Sequence, residues 1–317
     1  MGRYIQRRLL IIVPLLVLIS ILSFLLLQLT PGDPLDAYLP PDAAISEERR
    51  EAMRRNLGLD QPLPIQYGKW LAEAAQGNLG VSSRSHEPVT DVIASRLGPT
   101  LLLMVVALVV GVATGLVLGI LGAFYRNSVL DVILTAFAVL GISVPVYLAG
   151  LLGLYIFSLK LGWFPTGGFS TPGSSDLLDR IEHLILPALL ISIQYVAQTM
   201  RYARSAMITA LAQDYVRTAR AKGLLESRIV IGHALRNAMV PIATIIGSYV
   251  PALIAGAVFI ETIFSWPGMG RLFVDSVNYR DYPVIMGLTL VLAIIILLAN
   301  LLTDVAYALI DPRIRYE

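Results

Sequence analysis

Hydrophobic and polar positions divide this chain into long apolar runs joined by polar connections. Apolar residues dominate at 9–29, 100–124, 129–158, 184–208, 238–264 and 284–310. Each run reaches the roughly 20 residues that a helix needs to cross about 30 Å of hydrocarbon. The pattern predicts an all-α polytopic membrane protein with six transmembrane helices. Gly141, Pro145 and Gly150 lie inside the long third run and predict that it bends or breaks there. In the fifth, Pro251 leaves a backbone carbonyl without its donor, so that helix should bend and be covered by neighbours or water.

Two connections are longer than the rest. The one after span four contains Asp214, Tyr215, Val216, Arg217, Thr218, Ala219, Arg220, Ala221, Lys222 and Gly223. Asp214 can cap a short helix there, and Gly223 can end it in a left-handed turn. Ser227 can then start a second helix that runs into span five. The other long connection, 31–95, predicts a helix from Ser46 past Glu47, Glu48 and Glu51 to Arg54 and Arg55 before Gly58, with charges matched to the macrodipole. It continues through a turn-rich stretch to Tyr67 and Trp70. Two readings fit this segment, a solvated cap over the outer mouth and a docking surface for a delivery protein.

Composition agrees with a membrane location: 56% of residues are hydrophobic and 15% charged, against about 25% charged in a soluble domain. The absence of cysteine excludes disulfides, thiolate chemistry and cysteine metal sites. A net charge of +2 gives no reason to expect nucleic acid. The distribution of charge says more. With the N-terminus inside, the cytosolic segments hold 13 Lys and Arg and the short outer loops 4, so both termini and the loop after span four are expected in the cytosol. Arg7 and Arg8 before an apolar run imitate a signal peptide. The run is too long, however, and Leu29-Thr30-Pro31-Gly32-Asp33-Pro34 is no small-residue cleavage site, so span one is expected to be retained.

Within the spans the signal is chiefly packing. Gly111, Gly115 and Gly119 share one face of span two, where small residues allow close helix approach. Polar residues deep enough to mark a pathway are Ser143, Ser192, Gln194, Gln198, Thr199 and Asn300. Asp304 lies near the inner end of span six, as an interfacial residue or as a structural or gating partner. No phosphate-binding loop, His-Glu-x-x-His or Gly-x-Ser-x-Gly is present, and His86, His183 and His233 have no ligand spacing. No catalytic residue, metal site or cofactor is expected in this chain. An ion-coupled secondary carrier, the reading from a different class, calls for inverted repeats and buried coupling residues, and neither is seen.

The string Asp214 to Gly223 resembles the cytosolic signature of permease subunits in the ABC superfamily, in the form typical of the dipeptide, oligopeptide and nickel branch of binding-protein-dependent importers. Of the general signature only Ala219, Gly223 and Leu235 match, and Arg236 replaces its proline, which leaves the second helix unbroken there. The branch is also resembled by Thr30-Pro31-Gly32-Asp33-Pro34, by Leu57-Gly58-Leu59-Asp60-Gln61-Pro62 with Tyr67, and by Glu261 to Gly270 continued by Arg280-Asp281-Tyr282-Pro283. The large outer loop is similar to that of the first of the two permease types. The resemblance implies a type I ABC importer fold in the inner membrane. It implies a tail and first span over 1–30, an extracytoplasmic loop domain over 31–95, a core over 96–310 with a coupling loop at 209–237, and a tail at 311–317. The implied cargo is a di- or oligopeptide, with glutathione, a nickel chelate or an oligosaccharide as alternatives. The implied partners are a homologous second permease, two ATPase subunits that bind ATP and Mg, and an extracytoplasmic binding protein. The 214–223 helix would seat in an ATPase groove, with Ala219, Ala221 and Gly223 allowing close approach and Arg217, Arg220 and Lys222 pairing with an acidic rim.

Overall fold

The computed structural model describes residues 2–29, 33, 35, 46–174 and 176–310. The tail at 311–317 lies outside them, as does Thr30-Pro31-Gly32-Asp33-Pro34 apart from Asp33. The elements are α1 (Gly2–Gln28), α2 (Glu47–Asn56), α3 (Leu63–Ala75), α4 (Val89–Phe124), α5 (Val129–Ser143) and α6 (Val146–Gly153), followed by a π-helical stretch at Leu154–Lys160. Next come α7 (Leu177–Leu211), α8 (Asp214–Ala221), α9 (Glu226–Arg228), a second π-helical stretch (Ile229–Leu235) and α10 (Arg236–Gly247). The chain closes with α11 (Tyr249–Ile263), α12 (Met269–Asn278) and α13 (Tyr282–Ile310). Among the described residues the β pairing is one isolated bridge, Val81 with Pro88.

Gln6–Gln28, α4, α7 and Tyr282–Val305 are each long and apolar enough to cross a bilayer, and two bent helix pairs raise the number of spans to six if each pair is one span. One pair is the predicted third span: α5 and Val146–Lys160 meet at 102°, with the break falling on Val144 and Pro145, where proline disfavours helix in the residue before it. The other, Glu226–Met239 with Pro241–Gly247, bends by 46° at Pro241. The chain therefore passes Arg236 without a break, as expected.

The predicted fifth span is divided between α10 and α11, three residues before Pro251, at Ser248. The defect appears there because proline withholds the N–H that would bond to the carbonyl four residues earlier. That carbonyl is Gly247 O, and it accepts instead from Thr303 Oγ at 3.0 Å.

The chain divides into two compact units. The first comprises Met1–Gly98 and Gly268–Leu298. In it α3 leans on α1 through Tyr67, which hydrogen-bonds Ser20 at 2.9 Å and sets its ring at 58° to that of Phe24, with centroids 5.6 Å apart. The predicted helix after Ser46 forms, and Arg54 and Arg50 pair with Asp33. Leu79, Val89, Ile93, Met269, Val284 and Leu288 form the core of this unit.

The second unit comprises Pro99–Pro267 and Ala299–Glu317, with α7 at its centre. Of the apolar window of α7, 72% is buried, against 28% or less in the other three long helices. The three glycines of α4 lie against it as expected. A Cβ on Gly111, Gly115 or Gly119 would stand 2.6–2.7 Å from Cβ of Tyr195, Thr199 or Ala203. Arg204 of α7 holds Asp131 at the head of α5 through two hydrogen bonds of 2.6 and 2.7 Å. Beyond α11, Phe264 and Trp266 are fully buried, and Trp266 Nε1 donates to Pro99 O at 3.0 Å. The Glu261 to Trp266 passage is thus a packed corner of this unit.

Candidate functional site

The connection after α7 folds as a short helix with a locked exit. Gln213 occupies the N-cap position in extended conformation, so Asp214 is the first helical residue, one place later than expected. There its carboxylate suits the positive end of the helix dipole and lies 3.4 Å from Arg217. At the other end Gly223 adopts φ +75°, the left-handed turn expected of it. Gly223 N donates to Arg220 O at 2.9 Å and Leu224 N to Ala219 O at 3.3 Å, the paired bonds of a Schellman ending. The following helix starts at Glu226, with Leu225 rather than Ser227 at its cap.

The two faces of α8 differ. Val216 (0% exposed) and Ala219 (6%) turn inward and cluster with Ile229, against Leu211 and Leu224. The remaining eight residues from Asp214 to Gly223 are exposed. Ala219 therefore cannot offer the close approach to a partner expected of it, because its methyl group is already covered by this chain. Helical geometry explains the difference: Ala219 and Ala221 lie about 200° apart around the axis. Arg220 is likewise engaged, with both Glu226 oxygens as acceptors. Its hydrogen bond is the main reason that the Glu226 carboxyl lies below its usual range. The face left to a partner carries Tyr215, Arg217, Thr218, Ala221 and Lys222.

The next segment fixes this loop to the membrane bundle. The π-helical turns at Ile229–Leu235 widen the spacing so that Ile229, Val230 and Ala234 all point inward. Val230 and Ala234 join Ala238 and Ile242 of α10 against Ala203, Met207 and Ala210 of α7. A continuous path of packed side chains thus links α8 to α7, and the glycine face of α4 packs on α7 beyond it.

The expected pathway residues are not all brought together. Ser192 is buried, with its hydroxyl bonded to Leu189 O of its own helix, and Thr199 is buried against the Tyr249 hydroxyl at 3.1 Å. Ser143 bonds back to Val139 O at the α5 break, and Asn300 is exposed on α13. Gln194 and Gln198 are different: both are half-buried and share one side of α7. Tyr202, Ser205, Thr209 and Gln213 continue that side at helical spacing, all exposed. The last four help line a groove of about 490 Å³ together with Tyr215 of α8 and Asn237 of α10. This stripe was readable as polar residues at intervals of three or four, but an inventory of single polar residues at mid-membrane depth misses its inner half. Among the described residues no group of His, Asp or Glu could hold a metal. His183 is buried, with Nδ1 2.8 Å from Asp179 O.

Comparison with known proteins gives two family matches. The binding-protein-dependent transport system inner membrane component matches residues 115–316, and the N-terminal membrane component of the same systems matches 1–104. A protein of Brucella suis named as a peptide permease is 53% identical over 99% of both chains. The oligopeptide transport system permease AppB of Bacillus subtilis is 43% identical, and the glutathione transport system permease GsiC of Escherichia coli K12 is 42% identical, each over 100% of both chains. Among solved structures, the inward-facing MetNI methionine ABC transporter superposes with TM-score 0.56 and 16% identity, over 69% of this chain and 96% of that one. The type I ABC importer permease fold follows from these likenesses.

Proposed function

Because this chain belongs to the family of inner membrane components of binding-protein-dependent transport systems, we propose that it is a permease subunit of an ATP-driven peptide importer. The relatives named as peptide and oligopeptide permeases, aligned over essentially their whole length, support peptide as the cargo. Glutathione, named for a relative that is 42% identical, is the first alternative to test. The chain forms half of the pathway, beside a homologous second permease. Two ATPase subunits bind ATP and Mg, and an extracytoplasmic binding protein delivers the peptide. This subunit itself is non-catalytic. Both termini and α8 lie in the cytosol, and residues 31–95 lie outside.

The observation that carries this reading is the two-faced α8. One face is locked to the bundle by Val216 and Ala219, and the other offers Tyr215, Arg217, Thr218, Ala221 and Lys222 to a soluble partner. A helix built this way passes on displacement. When the ATPases close on ATP, α8 moves with them. The packing of Ile229, Val230 and Ala234 carries that movement to α7, and hydrolysis resets it. The stripe from Gln194 to Gln213 then serves as the pathway wall in this subunit. Its amides and hydroxyls donate and accept hydrogen bonds without adding carboxylates, which suits a peptide backbone of any sequence.

Reconstitution tests the reading. Proteoliposomes with the full set of subunits should take up peptide only when ATP and binding protein are both present. Cysteines at Ser227 and Ala75, both exposed, should react with impermeant reagent from opposite faces. Uptake driven by an ion gradient without ATP would show a secondary carrier instead.

A further inference from the structure

The unit formed by Met1–Gly98 and Gly268–Leu298 contains a cavity of about 490 Å³, bordered by the loop at 82–87, the head of α4, α12 and the start of α13. Its volume falls within the range of about 300–1,000 Å³ typical of small-molecule sites. It lies at the N-terminal ends of α4 and α13, on the end of those helices that the proposed topology places outside.

The lining is charged with both signs, and the charges differ in how far they are already satisfied. Asp281 is buried and fully engaged: it accepts from Ser82 Oγ at 2.5 Å and from Ser83 N at 3.2 Å, and so holds the loop in place. Asp275 lies 3.7 Å from Arg271. Arg84 and Arg96 line the cavity with no carboxylate within ion-pair distance among the described residues, and Glu87 lines it with no cation within that distance. The Arg84 guanidinium lies over the Tyr279 ring, 3.7 Å from its centroid. Stacking of this kind fixes the plane of the fork and leaves its N–H groups free for a planar anion.

Exposed Arg84 and half-buried Arg96 form no direct ion pair in this cavity and can receive an anion, and a carboxylate fits their fork geometry. Glu87 on the same lining calls for a cation and disfavours an isolated anion such as phosphate. A single solute bearing both charges satisfies all three. The concave form also favours a small molecule, since protein partners typically meet across about 800 Å² per side.

We propose that this cavity is a subsite for the free termini of a short peptide, the α-carboxylate held by Arg84 and Arg96 and the α-ammonium by Glu87. The choice of ligand rests on the peptide reading above. It assigns the permease itself a selection step for unblocked peptides, separate from the delivery protein.

The test uses the full chain, copurified with its partner subunits in nanodiscs and without binding protein. The probes are radiolabelled trialanine, trialanine amide and N-acetyl-trialanine. Wild type should bind trialanine about tenfold or more tightly than either blocked form, as expected when a charge-assisted contact is lost. Arg84→Gln combined with Arg96→Gln should remove the preference for a free carboxylate, and Glu87→Gln the preference for a free amine. The blocked peptides test wild type directly, so a variant that fails to assemble leaves the answer intact. Equal binding of free and blocked peptides, unchanged binding by the double variant, or no binding at all would overturn the assignment. ATP-driven uptake of trialanine, measured separately, tests the peptide reading. Uptake without cavity binding removes the subsite alone, and cavity binding without uptake removes the transport reading alone.

Discussion

The two faces of α8 lead to a prediction in which one substitution, made two residues apart, has two different outcomes. Ala219 is 6% exposed and packed among Val216, Ile229 and Leu224, whereas Ala221 is exposed. Ala219→Glu forces a carboxylate into an apolar cluster that has no cation in it. An unpaired buried charge costs about 3–5 kcal/mol, and this helix can escape most of that by peeling away from Ile229. At 1.4 kcal/mol per tenfold, even the lower figure raises the open population by about 100-fold. Amide exchange at Val216–Lys222, followed by mass spectrometry on the isolated subunit in nanodiscs, should accelerate by about that factor with no ATPase present. Ala221→Glu should leave exchange near wild type, since exposed substitutions stay within about 0.5 kcal/mol. It should instead weaken copurification of the ATPases, or lower transport per ATP hydrolysed. Two results would refute the reasoning: wild-type protection in Ala219→Glu, or full protection together with full coupling in Ala221→Glu.

Three further outcomes follow from the packing. Gly115→Ala should destabilise the subunit by about 1–3 kcal/mol, since its Cβ would stand 2.7 Å from both Thr199 Cβ and Val196 O. Gly256→Ala, with nothing within 4 Å, should be neutral or better, and thermal melting in detergent compares the two. Thr303→Val removes the donor to Gly247 O and should cost about 1–3 kcal/mol in the same melt, while Thr303→Ser should recover most of it. Glu226 has a lowered pKa from its hydrogen bond to Arg220, so the pairing is complete above the ordinary carboxylate range and is lost only as pH falls through the lowered value. A spin label at Ser227→Cys should therefore show constant mobility from neutral pH down through the ordinary carboxylate range and loosen only below it, and Glu226→Gln should loosen it at every pH.

The membrane helices were legible because long apolar runs have few alternatives, and the glycine face of α4 because a spacing of four puts residues on one side. The exit of α8 was legible at Gly223, a residue free to adopt positive φ. The inward turn of Ala219 is legible only from its spacing with Val216, which makes the two an apolar pair on one helical face. Ala219, Ala221 and Gly223 do not form one small surface, because Ala219 and Ala221 lie about 200° apart around the helix axis. The break at Ser248 was displaced from Pro251 because a proline's defect lies at the carbonyl it leaves behind. The π-helical turns at Ile229–Leu235 leave no residue-type marker, and tertiary packing alone reveals them. The charged cavity was invisible for another reason: Arg84 and Tyr279 are far apart in sequence and meet only after folding.

The hydroxyl of Thr303 carries one proton and faces two acceptors, Gly247 O at 3.0 Å and Ala299 O of its own helix at 2.8 Å. If α13 draws away from the joint between α10 and α11, that proton falls wholly to Ala299 O, and the threonine loses no bond. Only the Gly247 carbonyl is released, at the cost of one hydrogen bond. The joint therefore works as a catch whose release costs one hydrogen bond rather than two, and it gives the bundle a place to flex without breaking a helix.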